Sequence, residues 1–149
     1  MALTTFGIFT AASLDPPERK RPLWDAKVSA GMSRFPSAAR DYELEELDLN
    51  KRFVTNPPAT FFFTVEGDSM IGAGIFHGDM LIVDRSLKPR SSNIVLAVAD
   101  GGLVVKRLYK RGNVVKLLSE NPIYPPITFS EGQELIVQGV VTYVIHQPK

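Results

Sequence analysis

The chain contains no cysteine. That removes disulfide frameworks, thiolate nucleophiles and cysteine-ligated zinc sites together. It has only two histidines, His77 and His146, and no motif pairs them at metal-ligand spacing, so neither a metal nor another cofactor is implied. It also lacks any apolar run near the roughly 20 residues needed to span a bilayer, and its start has no basic segment leading into an apolar stretch. These features imply a soluble, cytoplasmic protein without a membrane partner. Charge of either sign is not in excess, with 17 basic against 16 acidic residues. A net charge of +1 gives no broad field for neutralising phosphates, so direct sequence-specific DNA binding is not expected.

What is present begins after a long irregular opening. Residues 1–40 carry Pro16-Pro17, the charged run Glu18-Arg19-Lys20-Arg21, Pro22 and Pro36, with no sustained period of 3.6 or 2. They read as a flexible arm, and residues 41–149 as one folded domain. The stretch Asp41 to Asn50 places apolar residues at 44, 47 and 49, which predicts a short helix or turn ended by Pro57-Pro58. Beyond it come β-rich runs at 60–65, 80–83, 94–98, 103–109, 114–118 and 135–145. Asp100-Gly101-Gly102 and Arg111-Gly112-Asn113 are hairpin signals, because glycine and asparagine tolerate positive φ. No helical patterns separate the runs, so the expected fold is mostly β, compact and mainly antiparallel.

Two positions carry chemistry. Ser69 follows Gly67-Asp68 in a turn after an apolar run, and Lys106 lies inside Leu103-Val104-Val105-Lys106-Arg107-Leu108. Strand alternation puts Val104, Lys106 and Leu108 on one face, so the lysine's nearest same-face neighbours are apolar. A serine attacks a carbonyl when a base removes its proton, and a lysine serves as base only when neutral. At an ordinary pKa of about 10.4, less than about 0.1% of a lysine is neutral at pH 7, so the group must be taken out of water to act. A lysine flanked by valine and leucine meets that demand. The backbone amides of Asp68 and Ser69 are candidate donors to the oxyanion. The plainer alternative is an ordinary turn serine and a lysine whose ammonium reaches solvent at the strand edge. His77, in a turn before a strand, and His146, after the last strand, are the other candidate bases.

Gly67-Asp68-Ser69-Met70, Gly78-Asp79-Met80-Leu81-Ile82-Val83-Asp84, the Lys106 strand and Asn121-Pro122-Ile123-Tyr124-Pro125-Pro126-Ile127 together resemble the self-cleaving peptidase domain of LexA repressors, phage repressors and UmuD-type mutagenesis proteins. Phe35 to Tyr42 and Leu47 to Asn50 look nearer to the UmuD type. Only thirty residues precede Gly31, where LexA-type repressors carry a helix-turn-helix domain, so a LexA-like repressor is the lesser expectation. A non-enzymatic interaction module is the remaining alternative. The resemblance implies Ser69 as nucleophile, Lys106 as general base, Ala30-Gly31 as the scissile bond and Val28 as an anchor for the substrate strand. It also implies an SOS-response homodimer whose self-cleavage is promoted by a RecA filament on single-stranded DNA. The trimmed product would then join a UmuC-like subunit in an error-prone translesion polymerase.

Overall fold

The computed structural model describes residues 18–24 and 44–149, and contacts divide these into two units, one within residues 15–55 and the other spanning 56–149. In the first unit, β1 (Arg21–Trp24) pairs antiparallel with β2 (Leu44–Leu47), Arg21 opposite Leu47 and Trp24 opposite Leu44. A five-residue helix, α1 (Leu49–Phe53), follows. Asp48 sets its start, accepting from the Asn50 amide at 2.8 Å and from the Lys51 amide at 3.3 Å. The short helix or turn expected over Asp41 to Asn50 is corrected where the residues are described: Leu44–Leu47 is strand, and the helix begins at Leu49. Leu-Glu-Glu-Leu has helical propensity, but β1 offers its backbone a ladder and the capping side chain comes only at Asp48.

In the second unit, β-branched and aromatic runs become seven strands among the described residues: β3 (Thr60–Thr64), β4 (Met80–Asp84), β5 (Ile94–Ala99), β6 (Gly102–Arg111), β7 (Val114–Leu118), β8 (Ile127–Phe129) and β9 (Ile136–Ile145). Their order is β3-β4-β9-β5-β6-β7-β8, and every neighbouring pair is antiparallel. The mostly β, mainly antiparallel fold expected from the sequence is therefore present. The Asp100-Gly101 turn between β5 and β6 takes φ of 49° and 77°, the left-handed conformations that a tight hairpin requires. β8 was not foreseen; it is three residues long and follows Pro125-Pro126, too short to show a period.

Period two sorts the side chains into two clusters. Val65, Met70, Ile75, Leu81, Val83 and Leu96 form one, while Val95, Ala97, Leu108, Leu117 and Val140 form the other. Adjacent residues of β5, Val95 and Leu96, thus serve opposite faces. The pairing of β9 shifts register against β4 between Ile82 and Val83, and against β5 between Leu96 and Ala97, which lets one long strand serve both neighbours. Gly139 sits at that crossing. A Cβ there would lie 2.6 Å from Val83 Cγ1 and 3.0 Å from the Asp84 carbonyl oxygen, so only glycine fits.

The connection from β3 to β4 is long but tied at its neck. The Val65 amide donates to the Asp79 carbonyl and the Gly78 amide to the Val65 carbonyl, both at 2.8 Å. Met70 and Ile75, fully buried, plug the loop into the first cluster. Ser69 immediately precedes one of these plugs. It is presented from a loop with little freedom to drift.

Candidate active site

Ser69 stands in a turn opened by Gly67, whose φ of 92° favours glycine. The residues after β7 grip this turn. The Glu120 amide donates to the Ser69 carbonyl at 2.9 Å, and the Gly72 amide donates to the Glu120 carbonyl at 2.8 Å. Asn121 Nδ2 donates to the Asp68 carbonyl at 3.1 Å, and the Tyr124 hydroxyl donates to Asp68 Oδ1. Contact is so close at Gly72 that a Cβ would fall 2.5 Å from the Glu120 carbonyl oxygen. No described residue accepts a hydrogen bond from the Asp68 or Ser69 amides.

Lys106 comes from β6, opposite Val95 of β5. Its strand phase puts it on the face shared by Val104 and Leu108, which pack in the second cluster. The side chain does not run to solvent: only 8% of the residue is exposed. Burial holds its pKa below the ordinary lysine value, because the charged form loses water. Nζ lies 2.5 Å from Ser69 Oγ, a hydrogen bond between residues 37 apart in sequence. Both line one cleft, walled by Thr64 to Glu66 on one side and Leu103 to Val105 on the other. The structure therefore brings the two sequence candidates together.

The histidines have other partners. His77 Nδ1 accepts from the Gly67 amide at 3.2 Å, bracing the start of the serine turn. His146 Nδ1 lies 2.6 Å from Asp79 Oδ1, and its ring tilts against Phe76. Burial alone would raise the Asp79 pKa, but the Phe76 amide and His146 outweigh it and hold the carboxyl below its usual range. Neither histidine is hydrogen-bonded to Ser69. Among the described residues no group of three or more acidic or histidine side chains could hold a metal ion, and no helix is long and apolar enough to cross a membrane. Val28, Ala30 and Gly31 lie outside the described residues.

Sequence reasoning gave no role to Gly72, Asn121 or Tyr124. The last two lie in the Asn121 to Ile127 motif, which carried part of the resemblance without saying what the side chains touch. Their partners are more than fifty residues earlier in the chain. No local pattern records such contacts.

Comparison with known proteins agrees with the site. The sequence pattern of the Peptidase S24-like family matches residues 22–142. The chain is 40% identical over 142 residues to Protein SamA of Salmonella typhimurium (strain LT2), covering 95% of this chain and 96% of that one. It is 41% identical over 134 residues to Protein ImpA of Escherichia coli, covering 87% and 86%. To Protein MucA of Escherichia coli it is 38% identical over 123 residues, covering 82% of each. With most of its length matched in this way, the chain belongs to the S24-like peptidase family, on its UmuD-type side.

Proposed function

We propose that the chain is a self-cleaving serine endopeptidase, with Ser69 the nucleophile, Lys106 the general base and Ala30-Gly31 the bond cut. One observation carries this reading: a buried lysine amine lies 2.5 Å from the Ser69 hydroxyl oxygen. Burial favours the neutral amine, which takes the Ser69 proton as Oγ bonds to the Ala30 carbonyl carbon. The amides of Asp68 and Ser69 receive the oxyanion. Lys106 then returns the proton to the departing Gly31 nitrogen as the C–N bond breaks. Water, activated by the same amine, releases the Ala30 carboxylate and restores Ser69.

The substrate lies in residues 1–40, read as the arm, and residues 41–149 form the peptidase domain. Small residues at the bond let the strand approach the serine. The apolar side chains of Phe63, Leu96 and Leu103 in the cleft suit an anchor such as Val28. The kinship with UmuD-type proteins supports the wider role: an SOS-response homodimer, prompted by a RecA filament on single-stranded DNA, whose trimmed product is the accessory subunit of a UmuC-like translesion polymerase. RecA acts here by shifting the population towards the docked arm, with no catalytic group donated.

The test is to incubate purified protein at alkaline pH, with and without activated RecA, and to weigh the products. A fragment beginning at Gly31 is expected, faster with RecA, and absent from Ser69→Ala and Lys106→Ala. A non-enzymatic interaction module gives no fragment at all. The same fragment from the Ser69→Ala protein would sink the proposal.

A further inference from the structure

The geometry points to Tyr124 as a positioning residue of this reaction: its ring stabilises the ammonium that forms on Lys106 when Ser69 gives up its proton, and its hydroxyl holds the turn that presents Ser69. The inference rests on the serine-peptidase reading above. Two separate contacts carry it. The ring centroid lies 5.7 Å from Lys106 Nζ, within the roughly 6 Å over which an aromatic face attracts a cation. At its other end the phenol donates to Asp68 Oδ1, one residue before the nucleophile. The Tyr124 amide also donates to the Asn121 carbonyl at 3.1 Å, and Asn121 itself grips the Asp68 carbonyl. Tyr124 and Asn121 thus hold one residue from two directions.

The reaction makes opposite demands on Lys106. It must begin neutral, which burial favours, yet it becomes an ammonium in the same largely buried position, which burial penalises. An aromatic face attracts the ammonium and not the neutral amine, so its effect grows as the proton arrives. Stabilisation that appears only on the way to the transition state accelerates the step. Among the described residues, the other charged or titratable groups around the site are Glu66, lining the same cleft from the β3–β4 loop, Asp68, bonded to the phenol, and Glu120, paired with Arg107. The hydrogen bond to Asp68 also holds the phenol above its ordinary pKa, which favours the hydroxyl as a donor.

The experiment follows self-cleavage of the full chain by intact mass from about pH 7 to 11, in wild type, Tyr124→Phe and Tyr124→Leu. Loss of the ring in Tyr124→Leu is expected to move the half-maximal rate to lower pH by about half a unit to one unit, and to lower the plateau about threefold to tenfold. Tyr124→Phe keeps the ring and is expected to keep the wild-type midpoint. An NMR titration of the labelled Lys106 side chain in a Ser69→Ala background, with and without Tyr124→Leu, reads the same shift without cleavage. Tyr124 is 40% exposed, so neither change opens a core cavity. A Tyr124→Leu midpoint equal to wild type, or a Tyr124→Phe midpoint displaced as far as that of leucine, overturns the role of the ring. Cleavage that survives Ser69→Ala would instead overturn the peptidase reading on which the inference stands.

Discussion

A lysine buried between Val104 and Leu108 weakens the fold wherever it is charged. Burial puts its folded pKa below the unfolded value, so between the two the unfolded chain binds more protons and stability rises with pH. The penalty is complete below the folded pKa and gone above the unfolded value of about 10.4. Lys106→Met, similar in shape and without charge, is therefore expected to raise the urea midpoint at neutral pH, with the gain shrinking towards pH 10 to 11, while cleavage is abolished. A gain that grew with pH would contradict the assignment. Gly72 tests the other half of the site. In Gly72→Ala the new methyl meets the Glu120 carbonyl oxygen at 2.5 Å and must push the serine turn from the segment after β7 that grips it. A loss of about 1–3 kcal/mol in urea unfolding is expected. Cleavage should slow by more than that loss of folded protein explains, because a displaced nucleophile misses its attack geometry. Ser69 and Lys106 could be singled out as candidates from the sequence because each has a local signature, a glycine turn and an apolar strand, though each signature is weak by itself. Gly72 and Tyr124 could not, because what defines them is contact with residues 120 and 68.

Among the elements, the β3–β4 loop decides whether the site exists, and Asp79 closes it. Its carbonyl receives Val65, and its buried carboxylate receives the Phe76 amide and meets His146. With its folded pKa held below the usual carboxylate range, Asp79 contributes stability that is present above about pH 4 and is lost as pH falls through the folded value. Asp79→Asn is expected to lower the melting temperature at pH 7 and to approach wild type in strong acid, as thermal unfolding at several pH values would show. A deficit unchanged down to pH 2 would contradict the ionised pairing. Strand by strand, legibility followed length. β4 to β7 and β9 are β-branched, apolar-rich runs long enough to be placed within two residues of their observed ends. β8 is too short to show a period, and Leu44–Leu47 has the composition of a helix but the partner of a strand.

At the scale of the whole molecule, the side chains that meet at Ser69 come from three places in the chain: the β3–β4 loop, strand β6 and the segment from Glu120 to Tyr124. Antiparallel order explains why. β6 and β7 are neighbours, so a residue inside β6 and the residues just after β7 arrive beside one another, and the loop carrying Ser69 is hydrogen-bonded onto that segment. Fold class was readable from pattern, and pattern singled out Ser69 and Lys106 as candidates; the bracing around them appears only once the sheet is assembled. The central claim is that burial makes Lys106 a base for Ser69 and that the pair cuts the chain once. The most direct measurement is the rate at which purified full-length protein yields the fragment beginning at Gly31, followed by intact mass against pH. The account predicts a rate that rises with pH and levels off below the ordinary lysine pKa of about 10.4, with no fragment from Ser69→Ala or Lys106→Ala. A rate indifferent to pH across that range, or an undiminished fragment from either variant, would contradict it.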